Sequence, residues 1–289
     1  MSSFTFQVRK YMICGEGSIF DHVMDRKVLL ILPDKGAMMK FLVIIQARCG
    51  STRLPSKVLK DVEGKTALEQ MLNRVSRSAK VDEIMVATTM NPEDLPIVHL
   101  VSGLGYRVFA GSSGDVLDRY YQAAKLIKPE YVIRLTADCP LFDWRLLDEA
   151  IDELREDSDD LCSYTETFPD GEDLEIFRFC VLENMWKNAR LMSEREHVTL
   201  YVKNHPDIYR LQNYECKLGD LKNERWTLDE PEDLDVIRAV YRHFAPRTDF
   251  SMEEIYQFLQ RHPEIRKLNR KYIRNEGLLK SLAEDKVLD

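Results

Sequence analysis

The chain has no C-x-x-C pair, no G-x-x-x-x-G-K-[ST] loop, no G-x-G-x-x-G turn and no apolar run approaching a membrane span. Each absence removes a class. Crossing a bilayer takes about 20 consecutive apolar residues, so no membrane partner is expected. The missing lysine-tipped loop argues against a P-loop ATPase, and the missing glycine fingerprint against a dinucleotide dehydrogenase. A basic excess is absent too: 41 Lys and Arg against 49 Asp and Glu leave a net charge of −8, with both signs mixed along the chain. Proteins that coat nucleic acid or anionic membranes carry the opposite balance. Six scattered cysteines (Cys14, Cys49, Cys139, Cys162, Cys180, Cys216) in 289 residues read as reduced, mostly buried thiols. The opening Met-Ser-Ser-Phe-Thr-Phe-Gln lacks the basic and apolar regions of a secretory signal, so a cytoplasmic protein is expected.

What is present is enough apolar residue, 44% of the chain, for a sizeable core. Residues 1–39 are read as an N-terminal extension. They hold a short strand at Val28 to Leu32, stopped by Pro33-Asp34-Lys35-Gly36, and an ordinary turn at Cys14-Gly15-Glu16-Gly17-Ser18. Gly15 to Lys35 resembles the start of iron-dependent alcohol dehydrogenases, and nothing of the rest of such an enzyme follows. From Lys40 onward strands and helices alternate. Phe41 to Ile45, Glu83 to Thr88, Tyr106 to Phe109 and Tyr131 to Leu135 read as strands. So do Leu161 to Tyr164, Ile176 to Phe179, Tyr209 to Tyr214 and Arg225 to Leu228. Helices are expected after Ala67, over Glu93 to Leu104, from Asp115, over Trp144 to Arg155, over Ser193 to Lys203 and over Pro231 to His243. The βαβ alternation predicts an α/β domain over residues 40–289, a mostly parallel mixed sheet with helices on both faces and a charged helical end from about residue 250.

Three features carry chemistry. The five apolar residues Phe41 to Ile45 run into Gln46 and then Ala47 to Lys57, a stretch holding Arg48, Arg53 and Lys57 with small Gly50 and Ser51. A loop at the carboxyl end of a buried strand can bring backbone N–H groups and cations to a triphosphate. Its plain alternative is a solvated loop with incidental cations. Asp138 follows an apolar strand and projects from the same sheet edge, where a carboxylate facing phosphate can take Mg²⁺. Asp229 likewise ends a segment before Pro231. Each Asp alone reads equally as a helix cap; together with the loop they form the set a phosphate-bridging metal needs.

Gln46 to Lys57 resembles the opening signature of the CMP-sugar synthetases for KDO and acylneuraminate, nearest to their spore-coat-polysaccharide branch. Gly111 to Tyr120, Arg134 to Phe142, Glu194 to Thr199 and Trp226 to Asp233 fit that branch in order. The resemblance runs from about Lys40 to Asn275. It implies a GT-A-like nucleotidyltransferase fold, transfer of CMP from CTP with release of pyrophosphate, Mg²⁺ as cofactor, and a homodimer serving surface polysaccharide synthesis. By position Arg48, Lys57 and Asp138 are the catalytic set, and Asp138 and Asp229 the metal ligands. Gln46, Ala47, Arg48, Gly50, Ser51, Arg53, Lys57 and Asp115 are the CTP contacts. The acceptor, a sugar acid or phosphorylated sugar or polyol, is expected beside Asp170 to Glu175 and Arg195 to His197. There Glu175 would meet hydroxyls, Arg195 and Glu196 an acceptor group, and His197 would act as base or donor. Thr227 stands where sialate-activating members often carry a second aspartate. The rivals are a glycosyltransferase of the same broad fold, which would need an Asp-x-Asp pair at a strand end, and a UTP or dTTP pyrophosphorylase, which would need a glycine-rich opening loop. An inactive regulatory relative would lack Arg48, Lys57 or Asp138.

Overall fold

Strand β1 (Phe41–Gln46) sits near the middle of the sheet, and its burial explains its composition. Phe41, Val43 and Ile45 join one core cluster, while Leu42 and Ile44 join the cluster on the opposite face. A strand covered on both sides needs no polar alternation, and each fully buried side chain of this kind contributes about 1.5–3 kcal/mol. The computed structural model of the chain describes residues 39–155 and 160–288. The expected N-terminal extension, and the strand expected at Val28 to Leu32, therefore lie outside the described residues, apart from residue 39.

After β1 come the hairpin strands β2 (Asp61–Val62) and β3 (Lys65–Thr66), then α1 (Ala67–Val75), β4 (Glu83–Thr89), α2 (Leu95–Gly103) and β5 (Arg107–Gly111). Helix α3 (Val116–Ile127), β6 (Tyr131–Thr136), α4 (Arg145–Glu153), β7 (Leu161–Tyr164) and β8 (Leu174–Arg178) follow. The rest is α5 (Phe179–Asn188), α6 (Met192–Glu196), α7 (Leu200–Asn204), β9 (Leu211–Asn213), α8 (Pro231–Phe244), α9 (Met252–Arg261), α10 (Pro263–Arg266) and α11 (Glu276–Ala283). The seven-stranded sheet has the order β5-β4-β1-β6-β8-β7-β9. Only β8 runs against its neighbours β6 and β7; β5, β4, β1 and β6 are parallel. Residues of α1, α4, α8 and α9 cover one face and residues of α3, α5 and α7 the other. The α/β, mostly parallel, doubly covered sheet is the architecture the alternation predicts.

Three local expectations are corrected. Ser193 to Lys203 is two short helices, α6 and α7, because Val198 between them takes a φ of 45° while fully buried. Core packing there overrides the helical pattern. Phe179 opens α5 instead of closing a strand, so that helix was missed. Arg225 to Leu228 is no ladder strand: Trp226 N donates to the Asp170 carbonyl (2.7 Å) and Leu228 N to the Asp138 carbonyl (2.7 Å), with a single bridge between Asp170 and Arg225. Gly171 makes that approach possible. Its φ is +114°, and a Cβ there would stand 2.7 Å from Thr227 N, so a side chain would drive the Asp229 segment away.

Candidate active site

The crevice opens at the carboxyl ends of β1 and β6, where Gln46 and Thr136 are register partners. Two backbone bonds knit this edge: Ala47 N donates to Ala87 O (3.0 Å) and Ala137 N to Gln46 O (2.9 Å). The loop then folds on itself. The Cys49 carbonyl accepts from Ser51 N (2.8 Å) and Ser56 N (3.0 Å), and Ser56 adopts a left-handed φ of 53° that turns the chain back toward the crevice at Lys57. Asp94, buried at the start of α2, anchors the loop from beneath: its carboxylate accepts Cys49 N at 2.6 Å and the Thr89 hydroxyl.

Lys57 joins the two expected metal ligands. Its Nζ lies 2.6 Å from Asp138 Oδ2 and 2.6 Å from Asp229 Oδ1. Burial draws the ammonium pKa down, and the two carboxylates more than offset this, leaving it above the ordinary lysine value. Burial pushes the Asp138 carboxyl up, and Lys57 overrides it, holding the group well below the usual carboxylate range. Lys57 and Asp138 are both charged at neutral pH as a consequence. Asp229 is further tied to Arg53 Nη2 (3.1 Å) and Arg225 Nη2 (3.4 Å). Arg225 in turn holds Asp170 (3.0 Å) and the fully buried Asp233 (2.9 Å). One cation-sized position already touches an oxygen of each of Asp138 and Asp229, and two carboxylates with phosphate oxygens and water make a donor set Mg²⁺ accepts. Among the described residues no group of three or more His, Cys, Asp or Glu side chains is gathered around a metal position, so the ion would lean on the nucleotide's own oxygens.

A cavity of about 580 Å³ continues from this point, lined among others by Arg53, Asp138, Glu175, His197 and Asp229. Glu175 is buried, and its partners are protein groups: Arg134 (2.9 Å), Lys203 (2.6 Å) and the Thr199 hydroxyl (2.9 Å). Burial raises its pKa, and Lys203 and Arg134 reverse that, bringing it down to about 2. His197 Nε2 pairs with the Ser281 hydroxyl at 2.9 Å, and burial with nearby Arg134 lowers its pKa, so the ring is neutral at pH 7.

The other expected residues are placed differently. Arg195 and Asp115 face each other, Arg195 Nε donating to Asp115 Oδ2 at 2.8 Å and Nη1 to the Trp186 carbonyl at 2.7 Å, while Asp115 Oδ1 caps α3 through Asp118 N. This pair fastens α6 to α3. Arg48 and Glu196 form an ion pair at 3.1 Å on the open side, with the Arg48 side chain half exposed. A Cβ on Gly50 would stand 3.1 Å from Glu93 Oε1, and Ser51 Oγ accepts Leu54 N at 3.3 Å. Gln46 Oε1 is buried and has no hydrogen-bond partner among the described residues. Sequence reasoning missed Asp94, Arg134, Lys203 and Arg225. Arg134 lies within the matching block Arg134 to Phe142, but nothing in the sequence marked Asp94, which falls in the first turn of the helix expected over Glu93 to Leu104.

A cationic loop and two carboxylates meeting at the carboxyl edge of a GT-A-like sheet place the chain among the nucleotidyltransferases. Residues 42–269 match the cytidylyltransferase family, and the chain belongs to it. It is 36% identical over 234 residues to a spore coat polysaccharide biosynthesis protein of Bacillus subtilis, covering 78% of this chain and 97% of that one. A cytidylyltransferase structure from Leptospira borgpetersenii superposes with a TM-score of 0.76 at 32% identity, over 79% of this chain and 97% of that one. A CMP-2-keto-3-deoxy-manno-octonic acid synthetase complexed with CTP shares the fold, with a TM-score of 0.56 at 20% identity over 71% of this chain and 99% of that one.

Proposed function

We propose that this cytidylyltransferase moves CMP from CTP to a sugar acid or a phosphorylated sugar or polyol, with Mg²⁺, in making a precursor of a surface polysaccharide or glycoconjugate. The observation that carries the reading is Lys57 Nζ at 2.6 Å from both Asp138 and Asp229, beside the loop of Arg48 and Arg53 and opening onto a cavity of about 580 Å³. Asp138 and Asp229 would hold Mg²⁺, which when bound supplies charge compensation for the triphosphate. Arg48, Arg53 and Lys57 contribute fixed positive charge where the pyrophosphate leaves. The loop backbone, clamped by Asp94, orients the α-phosphorus toward the cavity. An acceptor oxygen attacks that phosphorus and pyrophosphate departs, so the protein's work is positioning and charge stabilisation. His197, neutral and at the cavity wall, would take the acceptor's proton.

The relatives named for spore coat polysaccharide and for a keto-deoxy sugar acid support the acceptor class. Among the described residues no helix is long and apolar enough to cross a membrane; a cytoplasmic location is part of the proposal. A homodimer belongs to the proposal, and exposed Leu279, Leu282 and Val287 are apolar surface it would cover; light scattering tests it. The catalytic reading is tested by incubating the protein with labelled CTP, Mg²⁺ and a panel of sugar acids and phosphorylated polyols. Pyrophosphate release with one acceptor class is the expected result, and no release with any of them defeats the proposal. Stronger thermal stabilisation by ATP or UTP than by CTP would overturn the base assignment.

A further inference from the structure

The end of the chain crosses the mouth of the crevice. Residues 273–278 line the cavity, and all lie beyond the 42–269 stretch matched to the family. Farther on, this strap is fastened to α6 and the residues before it. Ser193 N and Oγ donate to Asp285 at 2.9 and 2.6 Å, Met192 N to Lys286 O at 2.9 Å, and Leu288 N to Arg190 O at 2.7 Å. At the cavity end Arg274 donates to the Phe168 carbonyl (2.7 Å) and the Thr165 carbonyl (2.8 Å). Between these two anchors Glu276, the first residue of α11, pairs with Arg53 at 2.8 Å.

Arg53 therefore has three carboxylate partners: Asp229 at 3.1 Å, Glu230 at 3.3 Å and Glu276 at 2.8 Å. One guanidinium charge is more than matched, and an incoming phosphate has to displace one of the three. Asp229 and Glu230 are held by α8, their backbone N–H groups donating to Asp233 at 2.9 and 2.8 Å. The Glu276 side chain is 60% exposed, against 20% and 13% for the other two, so it returns to water at the least cost in desolvation.

We infer that Glu276 sets the availability of Arg53 to the CTP triphosphate, so that nucleotide binding and closure of the strap compete for one guanidinium. This rests on the proposed reading that Arg53 meets the triphosphate. Glu276 is a positioning residue acting through Arg53. Because residues 273–278 also line the cavity, CTP entry loosens that wall.

Titration calorimetry of CTP with Mg²⁺ into the full chain tests this, alongside hydrogen exchange of the strap. Glu276→Gln tightens CTP binding about three- to tenfold, as expected from removing one contact between exposed charges about 3–4 Å apart. Glu284→Gln, which neutralises another exposed carboxylate of the strap, changes it less than twofold. Amide exchange over residues 276–280 rises on adding CTP to the wild-type chain and is already raised in Glu276→Gln without nucleotide. Equal or weaker CTP binding by Glu276→Gln overturns the inference while the cytidylyltransferase reading stands. A wild-type chain with no CTP affinity defeats that reading, and the inference with it.

Discussion

On the side of the crevice proposed for the nucleotide, Lys57, Asp138 and Asp229 meet within 2.6 Å contacts from three separate chain segments. On the acceptor side, Glu175 is enclosed by Arg134, Lys203 and Thr199, and Arg195 is bound to Asp115. Both regions are dense in charge. In the first, the groups stand at the open edge of the sheet, where the proposed phosphate and metal would exchange with Lys57. In the second, the anions are enclosed by their cations, and what the cavity would offer the proposed acceptor is the remaining faces of Lys203, Arg134 and His197. Charge density thus marks a reactive site only where the partners can be exchanged for substrate.

The largest effect that tests this contrast comes from Asp138→Asn. It keeps the shape and removes the charge, so turnover should fall about 10²–10³-fold, the usual scale for losing one electrostatic stabiliser at the reacting centre, with an unchanged far-ultraviolet circular dichroism spectrum. Near-normal turnover would remove Asp138 from the mechanism. The matching change on the other side, Glu175→Gln, should act on stability first. It leaves Arg134 and Lys203 facing an uncharged amide in a buried position, a loss of about 3 kcal/mol measurable by urea unfolding. A stability within 0.5 kcal/mol of wild type would mean the network is solvated and open to acceptor hydroxyls, which would erase the contrast.

The same contrast explains what was legible in the sequence. Strand ends follow from local pattern: five apolar residues ending at Gln46, or an apolar strand delivering Thr136-Ala137-Asp138, place a residue at the sheet edge without knowledge of tertiary structure. The parallel sheet with helices on both faces was readable for the same reason. Arg134, in the middle of β6, looked like a strand residue, and its role depends on Glu175 arriving antiparallel from β8. Arg195 was assigned to the acceptor by its motif, yet the turn at Val198 and the pairing with Asp115 direct it to α3. Long-range charge pairing of this kind leaves no periodicity to read.

Asp94 lies between these cases, on the nucleotide side but invisible to pattern. Asp94→Asn replaces one acceptor oxygen with an amide donor, so either Cys49 N–H or the Thr89 O–H loses its acceptor and the carboxylate charge is gone. The loop should loosen and KM for CTP rise about tenfold, equivalent to about 1.4 kcal/mol, with kcat changed far less. A fall in kcat at constant KM would show that Asp94 acts on the chemical step and not on the loop.

The dependence of stability on pH distinguishes two acids at the entry to β8. Burial pushes Asp173 up to about 7 despite Arg274 at 2.5 Å, whereas Glu175, two residues on, is drawn down to about 2 by Lys203 and Arg134 against the same burial. Their linkage has opposite signs. Between about pH 2 and its unfolded pKa of about 4.3, Glu175 is ionised in the fold and protonated in the unfolded chain, so its contribution grows as pH rises and is lost on acidification. Between an unfolded pKa of about 3.9 and about 7, Asp173 is protonated in the fold and ionised in the unfolded chain, so stability falls as pH rises and the cost is complete above pH 7. Urea midpoints from pH 3 to 8 should therefore flatten on the neutral limb in Asp173→Asn and on the acid limb in Glu175→Gln. Asp173→Asn with an unaltered neutral limb would show that Arg274 holds Asp173 ionised. The strap would then be fastened there by a full ion pair, and the two acids would no longer be opposites.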